Sequence, residues 1–332
     1  MAPLVPPTMA AAYIEELGPA DHIRYGELPV PRPGPTDVLV AVEAVSVNHV
    51  DTFVRSGAYP TPTPFPFVIG RDLVGTVVDR GAGVDAFAVG QRVWSNSLGH
   101  DGRQGAASQY AVVAVDRLYR LPDGVDPVTA VAVVHPAATA HLGLFREAAT
   151  RVGETVLVGG GAGNVGTAAI ELAAAAGARV LASARPRDFD HCRAAGADAV
   201  VDYRAADLTD QVRALAPAGV DVHWDTSGHH DLDAAVAMLA HGGRIVLAAG
   251  MDARPALPVG DLYTRDGRLV GFAISNAGVD DLSAAADAIN TLLPEGRISA
   301  RIEDVLPLSA AQTAHRRIEA GDLAGRRLVL LP

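Results

Sequence analysis

The sequence predicts an α/β chain in two parts, a β-barrel-like domain and a doubly wound parallel sheet, and three features of its 332 residues carry that reading. Up to about Pro122, short β-branched runs are separated by glycine and proline turns, the pattern of a compact, mainly β domain. From Pro127 onward, strand-like and helix-like segments alternate, as in an open parallel sheet with helices on both faces. Between Glu154 and Ala178 an apolar run, a glycine-rich turn and an alanine-rich helical segment follow one another directly.

The elements follow in order. Val38–Val47 is a long strand-like run entered from the turn formers Pro31–Pro35. Phe67–Gly70, Leu73–Val78, Val89–Trp94 and Gln109–Val113 are further short strands, with a turn at Gly81–Gly83. Val128–Ala149 reads as helix. Strands are then expected at Thr155–Val158, Arg179–Ser183, Asp198–Tyr203, Val220–Asp225, Arg244–Ala248 and Leu269–Ile274. Helices are expected at Leu208–Ala216, Leu232–Ala240 and Leu282–Leu293. After Gly296, Arg301–Pro307 and Leu328–Leu331 are strand-like again and are expected to rejoin the first domain. The nucleotide-type sheet domain, 126–295, is thus an insertion between 1–125 and 296–332.

Composition narrows the function classes. An apolar content of 49% with 20% charged residues is globular, and a net charge of −11 argues against nucleic acid or an anionic membrane as main partner. No apolar run approaches the roughly 18 to 20 residues that span a bilayer. The first 16 residues carry neither a basic n-region nor an h-region of a secretory signal. The Pro-rich first eight residues read as a loose extension, with Met9 as the start of the ordered chain. The single cysteine, Cys192, excludes internal disulfides and is expected as a small buried apolar side chain. A reducing, cytoplasmic setting is the simple reading.

The chemistry begins at the glycines. Gly161, Gly163 and Gly166, with Ala162, Asn164 and Val165 between them, stand in G-x-G-x-x-G spacing after a strand and before a helix. That context predicts a dinucleotide site: one glycine for a tight turn, one for close approach of the pyrophosphate, one for helix–strand packing. The helix N-terminus offers free N–H groups and a positive dipole end to the phosphates. An acidic residue about 20 residues on would mark NAD. Here the second strand ends Ser183-Ala184-Arg185-Pro186-Arg187. Ala184 stands where the acid would be, and Arg185 and Arg187 suit the 2′-phosphate of NADP(H). The alternative is that both arginines are solvated loop residues.

Four segments, Val47–Tyr59, Gly70–Gly75, Gly90–Val93 and the glycine loop, together resemble the medium-chain dehydrogenase/reductase superfamily, closest to its zinc-independent quinone oxidoreductase (zeta-crystallin-like) branch. The resemblance implies a GroES-like N-terminal domain, a Rossmann domain, and a cleft between them for nicotinamide and substrate. The zinc-dependent branch places a cysteine near Asn48 and a His-Glu pair where Arg71-Asp72 stand. Neither is present, so no metal is expected. Reduction of a quinone or α,β-unsaturated carbonyl compound then needs orientation and hydrogen-bond donors to the carbonyl oxygen. The resemblance places Asn48 and Tyr59 in that pocket, as amide donor and as phenolic donor or proton source. The alternatives are a turn-stabilising amide and a packing aromatic. Phe53, where relatives carry a second tyrosine, Phe65 and Trp94 would shape the pocket. Asp51 is read as a brace, and Arg71 either pairs with Asp72 or binds an acidic substrate group.

For the cofactor, the resemblance implies Thr139 beside the nicotinamide and Tyr203 near the 2′-phosphate. Thr226, Ala249 and Gly250 fall in loops at strand ends, and Phe272 and Ile274 bring backbone groups to the carboxamide. Relatives pair through the sheet edge, which makes a homodimer (possibly a tetramer) through Leu269–Ile274 the expected assembly. Two other readings stay open: a carbonyl or alcohol oxidoreductase of a biosynthetic pathway, and a non-catalytic NADPH-binding scaffold.

Overall fold

A computed structural model describes residues 5–332, so residues 1–4 of the expected N-terminal extension lie outside the described residues. Order begins early: strand β1 (Thr8–Ile14) already contains Met9, which is buried. The chain divides into two compact units, 1–135 with 282–294 and 300–332, and 136–281 with 295–299. The boundaries expected at 125/126 and 295/296 differ from these. His135 and Asn290 are tied to the first unit, His135 through Asp72 and Asn290 through the Trp94 indole and the Arg120 carbonyl.

In the first unit, β1 pairs antiparallel with β2 (Arg24–Pro29), setting Met9 opposite Leu28. Strand β3 (Asp37–Ser46) is followed by a short helix, α1 (His49–Ser56), which closes on Gly57 in the left-handed conformation. Then come β4 (Phe67–Val68), β5 (Asp72–Arg80), β6 (Arg92–Ser95), β7 (Tyr110–Ala114) and β8 (Tyr119–Arg120). Strand β3 is the spine of this unit. It pairs with β5 along one edge and with β7 along part of the other. Gly75 permits the first pairing, because a Cβ there would sit 2.2 Å from the Ala41 carbonyl oxygen.

Helix α2 (Pro127–His141) continues with π-type turns over Leu142–Glu147. The combined 21 residues are long and apolar enough to cross a bilayer, contrary to the expectation that no such run exists. Most of its apolar window is buried inside the protein, as in a core helix.

The second unit carries β9 (Thr155–Gly159), α3 (Asn164–Ala175), β10 (Arg179–Ala184), α4 (Phe189–Ala194), β11 (Ala199–Asp202), α5 (Leu208–Leu215) and β12 (Val220–Asp225). It continues with α6 (Leu232–Met238), β13 (Leu239–Leu247), α7 (Val259–Tyr263) and β14 (Arg268–Gly271). The six strands form one parallel sheet in the order β11-β10-β9-β12-β13-β14. The order reverses at β9, the switch point where such sheets open a crevice at the carboxyl ends of their strands. Val156 and Val158 of β9 are wholly buried, as a strand covered on both faces requires. Strand β13 starts at Leu239 rather than Arg244, because Leu239 pairs with Val220 before a bulge resets the register. Strand β14 ends at Gly271, so Phe272–Ile274 lie beyond the sheet.

After α8 (Val279–Leu292) the chain returns to the first unit as β15 (Ile302–Pro307), α9 (Ala311–Ala320) and β16 (Arg327–Leu331). Strand β16 pairs parallel with β15 and antiparallel with β3, which completes the seven-stranded sheet.

Candidate active site

In the second unit the glycine loop joins β9 to α3. The left-handed turn is at Gly160 (φ 69°), not at Gly161 as the spacing suggested. Gly161 is a packing glycine, because a Cβ there would meet Ala182, Ile170 and the buried Cys192 at 3.0 to 3.3 Å. Gly166 lets the helix rest on the turn: a Cβ would lie 2.2 Å from the Gly160 carbonyl oxygen. At Gly163 only that same oxygen comes near, at 3.1 Å, and the rest is open space. The first intrahelical bond runs from Thr167 N–H to the Gly163 carbonyl at 2.8 Å. The N–H groups of Asn164, Val165 and Gly166 therefore precede it with no intrahelical acceptor. This open, positively ended cradle fits a pyrophosphate.

The neighbouring loops are tied to the cradle. Gly161 N–H donates to the Ser183 carbonyl (2.9 Å), and Thr226 Oγ1 donates to the Gly159 carbonyl (2.8 Å). Thr226 thus holds the loop shut instead of offering its hydroxyl outward. At the end of β10, Arg185 is fully exposed and its Nε donates to the Tyr203 hydroxyl at 3.0 Å, joining two sequence-predicted residues from adjacent strands. Arg187 turns to Asp188, 3.6 Å away. The loops after β12 and β13 pack on each other at Gly228 and Gly250, and His230 Nε2 lies 2.9 Å from the Ala249 carbonyl oxygen. The sequence pattern gave no signal for that histidine contact. Phe272 packs between the Trp224 ring (5.9 Å) and the Arg146 guanidinium (5.8 Å), Ile274 opens a short 3-10 turn, and Thr139 is buried on α2.

In the first unit, Asn48 stands at the start of α1 inside a buried polar network. Asn48 Nδ2 donates to Asp72 Oδ2 (2.7 Å) and Asp51 Oδ2 (3.3 Å), while Arg327 Nη2 donates to Asn48 Oδ1 (2.8 Å). Both amide protons are committed to carboxylates, which overturns the reading of Asn48 as a donor to substrate. It is a brace. Asp51 also accepts the Asn48 backbone N–H (2.7 Å), closing the helix start as expected. Asp72 is fully engaged, with His135 Nδ1 2.9 Å from Oδ1 and Ser46 Oγ donating to Oδ2 at 2.6 Å. Burial opposes the Asp72 anion, yet His135, Arg327 and Ser46 hold its pKa below the ordinary carboxylate range. Asp51 moves the other way, pushed up to about 6 by burial and the neighbouring Asp72 charge.

Tyr59 is half-buried, with its ring 5.7 Å from that of His100. Beside it, Arg71 is 1% exposed, and its Nε and Nη1 have no hydrogen-bond partner. Of the two roles left open for Arg71, pairing with Asp72 is not seen, since the Asp72 oxygens are bonded to His135, Ser46 and Asn48. Phe53 is half-buried on α1. Two predicted pocket residues lie elsewhere. Trp94 is wholly buried, packed at a tilt of 44° on Tyr119 at 4.6 Å with its indole N–H donating to Asn290. Phe65 lines a groove of about 580 Å³ with Pro29, Pro31, Arg103 and Tyr110. Among the described residues no group of three or more His, Cys, Asp or Glu could hold a metal ion.

Residues 34–123 match the profile of the alcohol dehydrogenase GroES-like domain, and residues 164–291 that of the zinc-binding dehydrogenase domain. Human quinone oxidoreductase is 27% identical over 326 residues, 97% of this chain and 98% of the relative. A mycobacterial protein solved in complex with NADPH is 30% identical, with a TM-score of 0.84 over 98% of this chain and 100% of its own. The chain belongs to the medium-chain dehydrogenase/reductase superfamily, in its quinone oxidoreductase branch. A further member, an NAD-dependent alcohol dehydrogenase, is 30% identical with a TM-score of 0.88 over 98% of this chain and 100% of its own. The first unit is therefore the GroES-like domain, the parallel sheet is the Rossmann-like one, and the superfamily activity is that of an NAD(P)H oxidoreductase.

Proposed function

We propose that this medium-chain reductase uses NADPH, without a metal, to reduce a quinone or the C=C bond of an α,β-unsaturated carbonyl compound. The observation that carries the reading is the fully bonded Asp72. Where the resemblance puts a zinc ligand pair, one side chain is a guanidinium and the other carboxylate already has all of its partners. That donor set does not suit a divalent cation. Hydride addition to a conjugated acceptor asks for orientation and hydrogen-bond donors to the carbonyl oxygen rather than for a Lewis acid.

Bound NADPH would supply the hydride. The cradle of Asn164, Val165 and Gly166 N–H groups would hold its pyrophosphate, and Arg185 with Tyr203 its 2′-phosphate. Tyr59 would donate a hydrogen bond to the substrate carbonyl oxygen and stabilise the charge that collects there. The Asn48–Asp72–Arg327 network would act one step back, by fixing the start of the helix that leads to Tyr59. A homodimer is proposed through the edge strand β14, where Leu269, and Val259 and Tyr263 of α7, expose apolar surface.

The test follows oxidation of NADPH and of NADH, with and without a chelator, against quinones, enones and simple ketones, with products identified by mass. Chelator-insensitive turnover of quinones or enones with NADPH is expected. Reduction of ketones alone would move the assignment to a carbonyl oxidoreductase. Replacing Tyr59 by Phe should lower kcat about 10²-fold.

A further inference from the structure

Arg71 is a permanent cation enclosed by protein, and its Nε and Nη1 are left without acceptors. An enclosed guanidinium with unused donors is costly unless something supplies them with acceptor oxygens. The nearby acids do not. Both oxygens of Asp72 are taken by His135, Ser46 and Asn48. Asp51 attracts Arg71, but its Oδ2 is bonded to Asn48 and its Oδ1, buried and unpartnered, makes no hydrogen bond to the guanidinium. Other charges nearby are of both signs, with Asp101 and Asp116 beside Arg103 and Arg117. Arg103 and Arg117 both act on Arg71 or its neighbour His100, whose ring lies against Tyr59. The His100 Nδ1 is likewise buried without a partner. Burial, and then the Arg71 and Arg103 charges, press the His100 pKa down to about 4, so it adds no cation near neutral pH. Arg103 is partly engaged, with Nε on the Ser97 carbonyl and Nη1 3.7 Å from Asp101. Arg71 thus keeps two buried donors, Nε and Nη1, which suits one carboxylate.

We propose that Arg71 is a specificity-determining residue, and that the substrate is an α,β-unsaturated carbonyl compound bearing a carboxylate, which the Arg71 guanidinium receives beside Tyr59 and His100. The proposal rests on the reductase reading above and narrows its substrate class. In the reaction, NADPH is oxidised to NADP+, the conjugated C=C bond takes up a hydride and a proton, and the carboxylate is unchanged.

The test compares 4-oxopent-2-enoate with its methyl ester, which keeps the enone and removes the charge. The wild-type protein should favour the acid in kcat/KM by about 10- to 100-fold, the worth of hydrogen bonds to a charged group. Arg71→Gln should collapse the acid-to-ester ratio towards one, and Arg71→Lys should retain part of it. An acid-to-ester ratio near one in the wild type, or one unchanged by Arg71→Gln, overturns the proposal. If neither compound turns over, the quinone and enone panel decides the reductase reading and the anion site is judged alone. Calorimetric titration of the NADP+-bound protein with 4-oxopentanoate and its methyl ester should then show binding of the acid only. Absence of acid binding overturns the site as well. Should Arg71→Gln not fold, the wild-type acid-to-ester comparison decides by itself.

Discussion

Replacing Gly166 by alanine tests whether the glycine loop is built as described. The new Cβ would fall 2.2 Å from the Gly160 carbonyl oxygen and 2.9 Å from the Gly160 carbon and Gly161 Cα, all of them backbone atoms. The turn must retreat by roughly 0.8 Å to restore the 3.0 Å that such contacts require. That oxygen accepts the Gly163 N–H at 2.9 Å, so the retreat also breaks the bond that closes the turn. Overpacking costs about 1 to 3 kcal/mol and a lost hydrogen bond about 1, which places the expected destabilisation at about 2 to 4 kcal/mol. Gly163→Ala is the contrast. Gly163 has φ −75°, which alanine adopts freely, and its added methyl meets only one atom, at 3.1 Å. It should change stability by less than about 1 kcal/mol yet crowd the approach to the helix N-terminus. The assay is urea unfolding of both apo variants, followed by NADPH titration. Gly166→Ala should lose stability and affinity, and Gly163→Ala affinity alone. An apo Gly166→Ala variant as stable as the wild type, or equal destabilisation by the two substitutions, would refute the reasoning.

Three further outcomes follow from the geometry. Arg185→Ala should raise the KM for NADPH about tenfold or more while changing that for NADH little, and equal effects on both would remove the 2′-phosphate assignment. Glu171, which accepts the Ser299 N–H and hydroxyl, has its pKa pushed up to about 7 by burial, so the folded chain holds this proton more tightly than the unfolded one. Its contribution is full below about pH 4.5 and is lost as pH rises to about 7, about 3 kcal/mol at most; Glu171→Gln should flatten that part of the stability profile, and an unchanged profile would contradict the shift. Arg327→Met strands the buried Asp72 and Asn48 and should cost about 3 to 5 kcal/mol in urea unfolding, whereas a loss under about 1 kcal/mol would show that the network is not held by this charge.

The features legible from residue order are those that short stretches of backbone set. The strand, turn and helix around Gly161 to Gly166 are local, because glycine conformations and helix starts depend on adjacent residues. The run of strands from Thr155 to Leu247 was legible for the same reason, as was Arg185 in place of an acid. Helices α1 and α9 were not assigned from pattern, and α6 stops two residues early because Leu239 is captured by Val220 of another strand. The fate of polar side chains was decided only in three dimensions. Asn48 could not be read as spent, since its carbonyl partner Arg327 lies 279 residues away and Asp72 lies 24 away. Trp94 looked like a pocket aromatic until Asn290, 196 residues on, took its indole proton. Arg71 had an acid for its next neighbour, yet it stands in the bend just before β5, and the fold gave that acid to His135, Ser46 and Asn48 instead. Local geometry is a property of neighbours in the chain, whereas a buried charge finds its partners among whatever the core brings alongside it.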